Sequence, residues 1–277
     1  MSYRITLPEM DTFTAWRDVA RRLISANIPP EEVLWSRGAG EKDLFARPLP
    51  PLPKSTIPVP KSFVSLARLS IWHCDHTRFH QLYALLWALR SDRTLIEDRG
   101  DIRISRLNRM AKEVGRDRHK MHAFLRFREI GDPDAPRRRF AAWFEPSHYT
   151  LEPALPFFTD RFGDMDWSIF TPDLSAHFVD GKVQLAEGVD KPDFPIDATE
   201  DLWRVYFRNI FNPARVKLTA MTSEMPKKYW ANMPEASEIP DLIATAEARV
   251  RAMADAAPTV APKRAEVIKA RGKTRDD

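Results

Sequence analysis

Met121-His122-Ala123-Phe124-Leu125-Arg126-Phe127-Arg128-Glu129-Ile130-Gly131-Asp132-Pro133-Asp134-Ala135-Pro136, followed after three arginines by Phe140-Ala141-Ala142-Trp143-Phe144-Glu145, is the stretch whose reading decides the fold. The Gly131 to Pro136 segment stops regular structure and favours a chain reversal. Phe140 to Glu145 then reads as a strand. What precedes the turn fits two patterns. A helix puts His119, His122, Arg126 and Glu129 on one face, whereas a strand alternates Met121, Ala123, Leu125 and Phe127 against His122, Phe124, Arg126 and Arg128. We expect a hairpin, with the preceding helix ending near His122.

A second hairpin is expected at Asp180-Gly181, a favoured two-residue turn pair, with Val183 and Leu185 carried outward. Adjacent hairpins imply antiparallel pairing. The fold class is therefore α+β: a small antiparallel sheet of hairpins packed with several helices, an N-terminal strand–helix unit and a mostly helical C-terminal part.

The rest of the chain fills in around this core. Tyr3 to Leu7 reads as a strand. A helix capped by Asp11 follows, with Phe13, Trp16, Ala20, Leu23 and Ile24 at helical spacing, and Val33-Leu34-Trp35 returns as a strand. Pro48, Pro50, Pro51, Pro53, Pro58 and Pro60 favour an extended strap. Three helical stripes run from Lys61 to Val114, the last stopped by Gly115. Further elements are expected at Pro153 to Phe162 (helix), Trp167 to Thr171 (strand), and Glu200 to Phe211, Pro226 to Trp230 and Ile239 to Met253 (helices). This gives an N-terminal unit at 1–47, a Pro-rich strap at 48–60, a main α+β domain at 61–255 and a disordered basic tail at 256–277.

Bulk composition narrows the function classes. The 277 residues are 43% hydrophobic and 30% charged, as in a globular protein with ample core, and the formal net charge is +4. The charge is uneven: Arg99 to Arg139 holds 13 Lys and Arg against 6 Asp and Glu, a local excess that suits an anionic partner. Cys74 is the sole cysteine, which excludes an internal disulfide framework or a multi-thiolate iron–sulfur cluster within one chain. No signal-peptide stretch or transmembrane run is apparent, so the cytoplasm is the expected compartment and no membrane partner is expected. None of the nine glycines forms a phosphate-binding loop, which disfavours nucleotide hydrolysis.

Four groups of residues carry candidate chemistry. The basic aromatic segment, with Arg116, Lys120, Arg126 and Arg128, suits phosphates and stacked bases. If strand alternation holds from Met121, then His122, Phe124, Arg126 and Arg128 share a face; the alternative is that these arginines serve structural ion pairs. Asp117, His119, His122, Glu145 and His148, with Lys228, offer acid–base chemistry, although structural histidines are the commoner case. His73, Cys74, His76 and His80 form a soft-metal constellation on paper. Two helical histidines and one thiol supply only part of a tetrahedral site, so no metal and no cofactor are expected. Late in the chain Arg204, Arg208, Arg215, Lys227 and Lys228 could converge on a phosphate, with Trp230 at the surface, while Trp203, Tyr206, Phe207 and Phe211 are spaced as core.

Ordered runs also carry a family resemblance. They include Arg109-Met110-Ala111-Lys112, Arg116 to Phe124, Phe127-Arg128-Glu129, Ala142-Trp143-Phe144-Glu145-Pro146-Ser147-His148, Pro156-Phe157-Phe158 and Trp167-Ser168-Ile169. Leu202 to Arg215 and Glu224 to Ala236 extend the match. In these the chain resembles a bacterial family of DNA-repair or DNA-metabolism proteins whose core is a domain of unknown function. Members are joined to a uracil-DNA glycosylase-like domain or encoded beside a radical S-adenosylmethionine repair protein. The resemblance implies DNA and one of those proteins as partners, and it assigns no reaction. The leading expectation is a nucleic-acid-binding accessory factor of DNA repair. The alternatives are an enzyme using His122, Glu145, His148 and Lys228 on DNA ends or modified bases, and a protein–protein adaptor.

Overall fold

The computed structural model describes residues 2–38, 47–53, 58–132, 134–193 and 225–255. The expected helix at Glu200 to Phe211, Arg215 with its neighbouring cations, and the basic tail lie outside them. Among the described residues no helix is long and apolar enough to cross a membrane.

The N-terminal part is β1 (Tyr3–Leu7), α1 (Thr12–Ser25) and β2 (Val33–Arg37), with β1 and β2 paired in parallel. Asp11 is not the side-chain cap expected of it. It sits at φ 53 in the left-handed region, and its backbone N–H donates to Glu152 Oε2 at 3.1 Å. Helices α2 (Lys61–Ser70), α3 (Arg78–Ala88) and α4 (Ile102–Phe124) follow. The sequence stripes are the buried ones: Trp16, Ala20, Leu23, Phe63, Ala67, Ile71, Phe79, Leu82, Tyr83, Leu107, Met110 and Val114 all join one hydrophobic core. Tyr83 satisfies its buried hydroxyl by donating to Ile28 O at 2.7 Å, and burial raises its pKa.

The second half is a five-stranded mixed sheet in the order β3 (Arg128–Glu129), β4 (Arg139–Trp143), β5 (Asp166–Phe170), β6 (Leu174–Val179) and β7 (Lys182–Glu187). Both expected hairpins are present: β3 pairs antiparallel with β4, and β6 with β7 across Asp180-Gly181. The sheet is not wholly antiparallel. β4 and β5 run parallel because α5 (Leu151–Arg161) carries the chain back between them. Leu185 is partly buried against the core and does not turn outward with Val183. Two 3-10 helices (Lys227–Asn232 and Pro234–Glu238), then α6 (Ile239–Ala244) and α7 (Ala246–Asp255), complete the described chain.

α4 is the spine. Ile104, Leu107, Met110 and Val114 belong to the first core and Met121 to the second. The Asp101 carboxylate starts the helix, accepting from Arg103 N at 2.8 Å and Ile104 N at 3.4 Å. Gly115 does not end it. The helix continues for nine more residues because Asp117 and Met121 extend the buried face, and packing outweighs the roughly 1 kcal/mol propensity deficit of glycine. Strand alternation therefore fails at His122 and Phe124, which are helical, and only Arg128 and Glu129 pair as a strand.

Candidate functional site: a cationic helix face beside a histidine cluster

The outer face of α4 carries Arg109, Lys112, Arg116 and Lys120, at spacings of three and four that place them in one row. Arg109, Lys112 and Arg116 are exposed and Lys120 is half-buried; none forms an ion pair among the described residues. The more N-terminal arginines are already neutralised. Arg103 pairs with Asp101, and Arg106 donates to Asp75 at 3.0 Å.

Lys227 and Lys228 lie on the 3-10 helix that meets α4 at Asp117 and Phe124. Their 3-10 helix is fixed to α4 by Tyr229, whose hydroxyl donates to Asp117 Oδ1 at 3.2 Å and whose ring stacks on Phe124 at 5.6 Å. Both lysines are exposed; Lys227 lies 6.0 Å from the Trp230 ring and Lys228 lies 4.6 Å from that of Tyr229. Trp230 is half-buried, and its indole N–H donates to Met225 O at 3.1 Å.

Asp117 is a buried hub. Its Oδ2 accepts from the backbone N–H of Ser147 at 2.9 Å and His148 at 3.0 Å, and from the Thr150 hydroxyl at 3.3 Å. A carboxylate supplied with this many donors fixes the 147–150 loop on α4. The loop presents His148 to the 73–75 segment: Nδ1 of His148 accepts from Cys74 N at 3.3 Å, and its ring lies 4.2 Å from that of His73. His73 bonds Glu113 Oε2 through Nε2 at 2.9 Å and accepts from Asp75 N at Nδ1 at 3.0 Å. Lys228 donates to the Ser147 hydroxyl.

The 73–75 segment is itself held. Arg78, only 2% exposed, donates to Ile71 O at 2.8 Å and to Asp75 O at 3.0 Å, and burial lowers its pKa to about 10. Asp75, raised by burial but pulled down further by hydrogen bonds from Thr77 and Arg106, stays ionised with a pKa of about 2. Burial, then His73 and Lys228, lower the His148 pKa against the opposing pull of Asp117 and Glu113, so the imidazole is neutral at pH 7. A groove of about 610 Å³ lined by His73, Asp75, Arg106, Arg109 and Glu113 opens onto this cluster.

Of the four acid–base candidates, only His148 and Lys228 come together here. His122 stacks on Phe157 at 4.0 Å, and burial followed by Arg118 and His119 lowers its pKa. Glu145 accepts the Trp143 indole N–H at 2.8 Å. His119 is exposed on α4. Among the cationic candidates, Arg126 is committed to Glu235 at 2.6 Å, with side-chain exposures of 13% and 1%. Arg128 sits half-buried in β3 and is engaged by neighbours. Sequence reasoning missed His73 and Glu113 as partners of His148. The available signal was Glu113 and Asp117 four residues apart, one helical turn of acid directed at the protein side of α4.

No curated protein and no solved structure matches the chain. The sequence profile of one family does match, across residues 76–235, which include all of α3, α4, the mixed sheet and the Lys227–Asn232 turn. That span is more than half of the 277 residues, and the chain belongs to the family defined by DUF4130, a domain of unknown function.

Proposed function

We propose that the protein is a DNA-binding accessory factor of DNA repair or DNA metabolism, acting beside a uracil-DNA glycosylase-like or radical S-adenosylmethionine partner. The observation that carries the DNA-binding part is the row of Arg109, Lys112 and Arg116, exposed and without ion pairs among the described residues. Exposed cations in line on one rigid helix match a phosphate backbone and release its counterions on binding. The partner assignment is supported by the sequence resemblance. Fluorescence anisotropy at low salt with single-stranded, damaged and uracil-containing oligonucleotides tests the DNA reading. Binding is expected, weakened by Arg109→Glu with Arg116→Glu; no binding to any of these refutes it. Co-purification with the two candidate partners tests the rest.

A further inference from the structure

We propose that His73, Cys74 and His148 form a transition-metal site, with zinc as the ion its donor set fits best. Each residue offers one ligand atom, and the three atoms all lie within 4.8 Å of one another. Two imidazoles and a thiolate suit a borderline-soft divalent ion and leave the fourth tetrahedral position to water. Ligand atoms around zinc stand roughly 3.3–3.6 Å apart, given Zn–N near 2.0 Å and Zn–S near 2.3 Å. Closure from the distance seen needs side-chain rotation of about an ångström, not a change of fold.

The surroundings have the form of a second shell. Glu113 holds Nε2 of His73, the carboxylate–imidazole arrangement that fixes a metal-binding ring, and leaves the Nδ1 side to the ion in place of the Asp75 N–H. Nδ1 of His148 accepts from Cys74 N, so its lone pair already faces the Cys74 segment, and the ion takes the place of that N–H as it does at His73. Asp117 anchors the loop that delivers His148, and Arg78 anchors the turn that delivers His73 and Cys74. Cys74 is exposed and the groove beside His73 gives solvent a route in. On binding, the thiol loses its proton to solvent and the thiolate takes the ion. The sequence pattern set His76 and His80 beside Cys74 and left the ligand set incomplete. The fold supplies His148 from 74 residues away, while His76 and His80 are both exposed.

Calorimetry of the chelator-treated full chain with zinc chloride, and absorption with cobalt(II), test the assignment. The expected result is about one equivalent of zinc per chain, and a thiolate-to-cobalt charge-transfer band. Cys74→Ser, at an exposed position that leaves the fold intact, should remove the band and weaken zinc binding by more than the roughly 10- to 100-fold lost with an outer-shell partner. His148→Ala should abolish stoichiometric uptake, and His76→Ala with His80→Ala should change nothing. Should His148→Ala fail to fold, the Cys74→Ser comparison decides alone. Substoichiometric uptake, uptake unaffected by Cys74→Ser, or uptake lost on changing His76 and His80 would overturn the proposal.

Discussion

Arg126 and Glu235 join the end of α4 to the second 3-10 helix, and separating them should be among the most damaging surface-adjacent changes in the molecule. Arg126 reaches Glu235 Oε1 with Nε at 2.9 Å and Nη2 at 2.6 Å, while Nη1 caps Ala123 O at 2.7 Å and Leu125 O at 3.2 Å. Glu235 is 1% exposed, and its second oxygen has no hydrogen-bond partner among the described residues. Arg126→Ala leaves that carboxylate buried and unpaired, which costs about 3–5 kcal/mol, whereas removing both partners for apolar groups of similar size should lie much closer to wild type. Urea unfolding of Arg126→Ala, Glu235→Leu and the double Arg126→Met with Glu235→Leu gives the comparison. A large loss in Arg126→Ala with substantial recovery in the double variant is expected. An Arg126→Ala protein within about 1 kcal/mol of wild type would show that the pair is solvated, and would return Arg126 to the cationic surface.

Three further outcomes follow from particular residues. Gly115→Ala should stabilise the protein by about 0.5–1 kcal/mol in denaturant unfolding, because the helix continues through Gly115 and an added Cβ meets nothing within 4 Å; a loss of stability would mean the helix bends there. Asp101 is held at a pKa of about 2, chiefly by Arg103, so its cap contribution is full above pH 4 and fades as pH falls toward 2. Asp101→Ala should therefore lose about 1 kcal/mol at pH 7, with the gap narrowing in acid titrations; a constant gap would contradict this. Trp167, 1% exposed and stacked on Phe178 at 5.1 Å, should lose about 3–5 kcal/mol on replacement by Ala, read by thermal or urea unfolding, and a loss under about 1 kcal/mol would mean it is not core.

Local pattern made much of the fold legible. The helical stripes around Trp16, Phe63 and Phe79, the Asp180-Gly181 turn and the hairpin after Gly131 depend on periodicity and turn chemistry within a few residues. Gly115 does not stop α4, and His122 and Phe124 do not alternate as strand residues, because burial of Asp117 and Met121 overrides local preference; Asp117 takes its partners from the 147–150 loop and Tyr229. Of the cations on the exposed face of α4, the sequence reading singles out Arg116 and Lys120 and passes over Arg109 and Lys112. The row from Arg109 to Lys120 follows from helical spacing once the helix is known to be continuous. His148 is singled out by the sequence, but its neighbours His73, Cys74 and Glu113 come from distant chain segments; the Glu113 and Asp117 spacing marks one side of α4 without showing which segments meet it. Arg126 shows the converse: its charge suggested a ligand contact, and only the buried Glu235 reveals that it is spent on the fold.

The central claim is that the α4 row binds nucleic-acid phosphates. The salt dependence of DNA binding, compared between the wild-type chain and Arg109→Glu, Lys112→Glu, Arg116→Glu, tests it most directly. If each of the three cations neutralises one phosphate, the slope of log K against log salt should become shallower by about 2.1–2.7, spanning single-stranded to duplex DNA, and affinity should fall while unfolding stability stays near wild type. A folded triple variant that binds with unchanged affinity and unchanged slope would contradict the account.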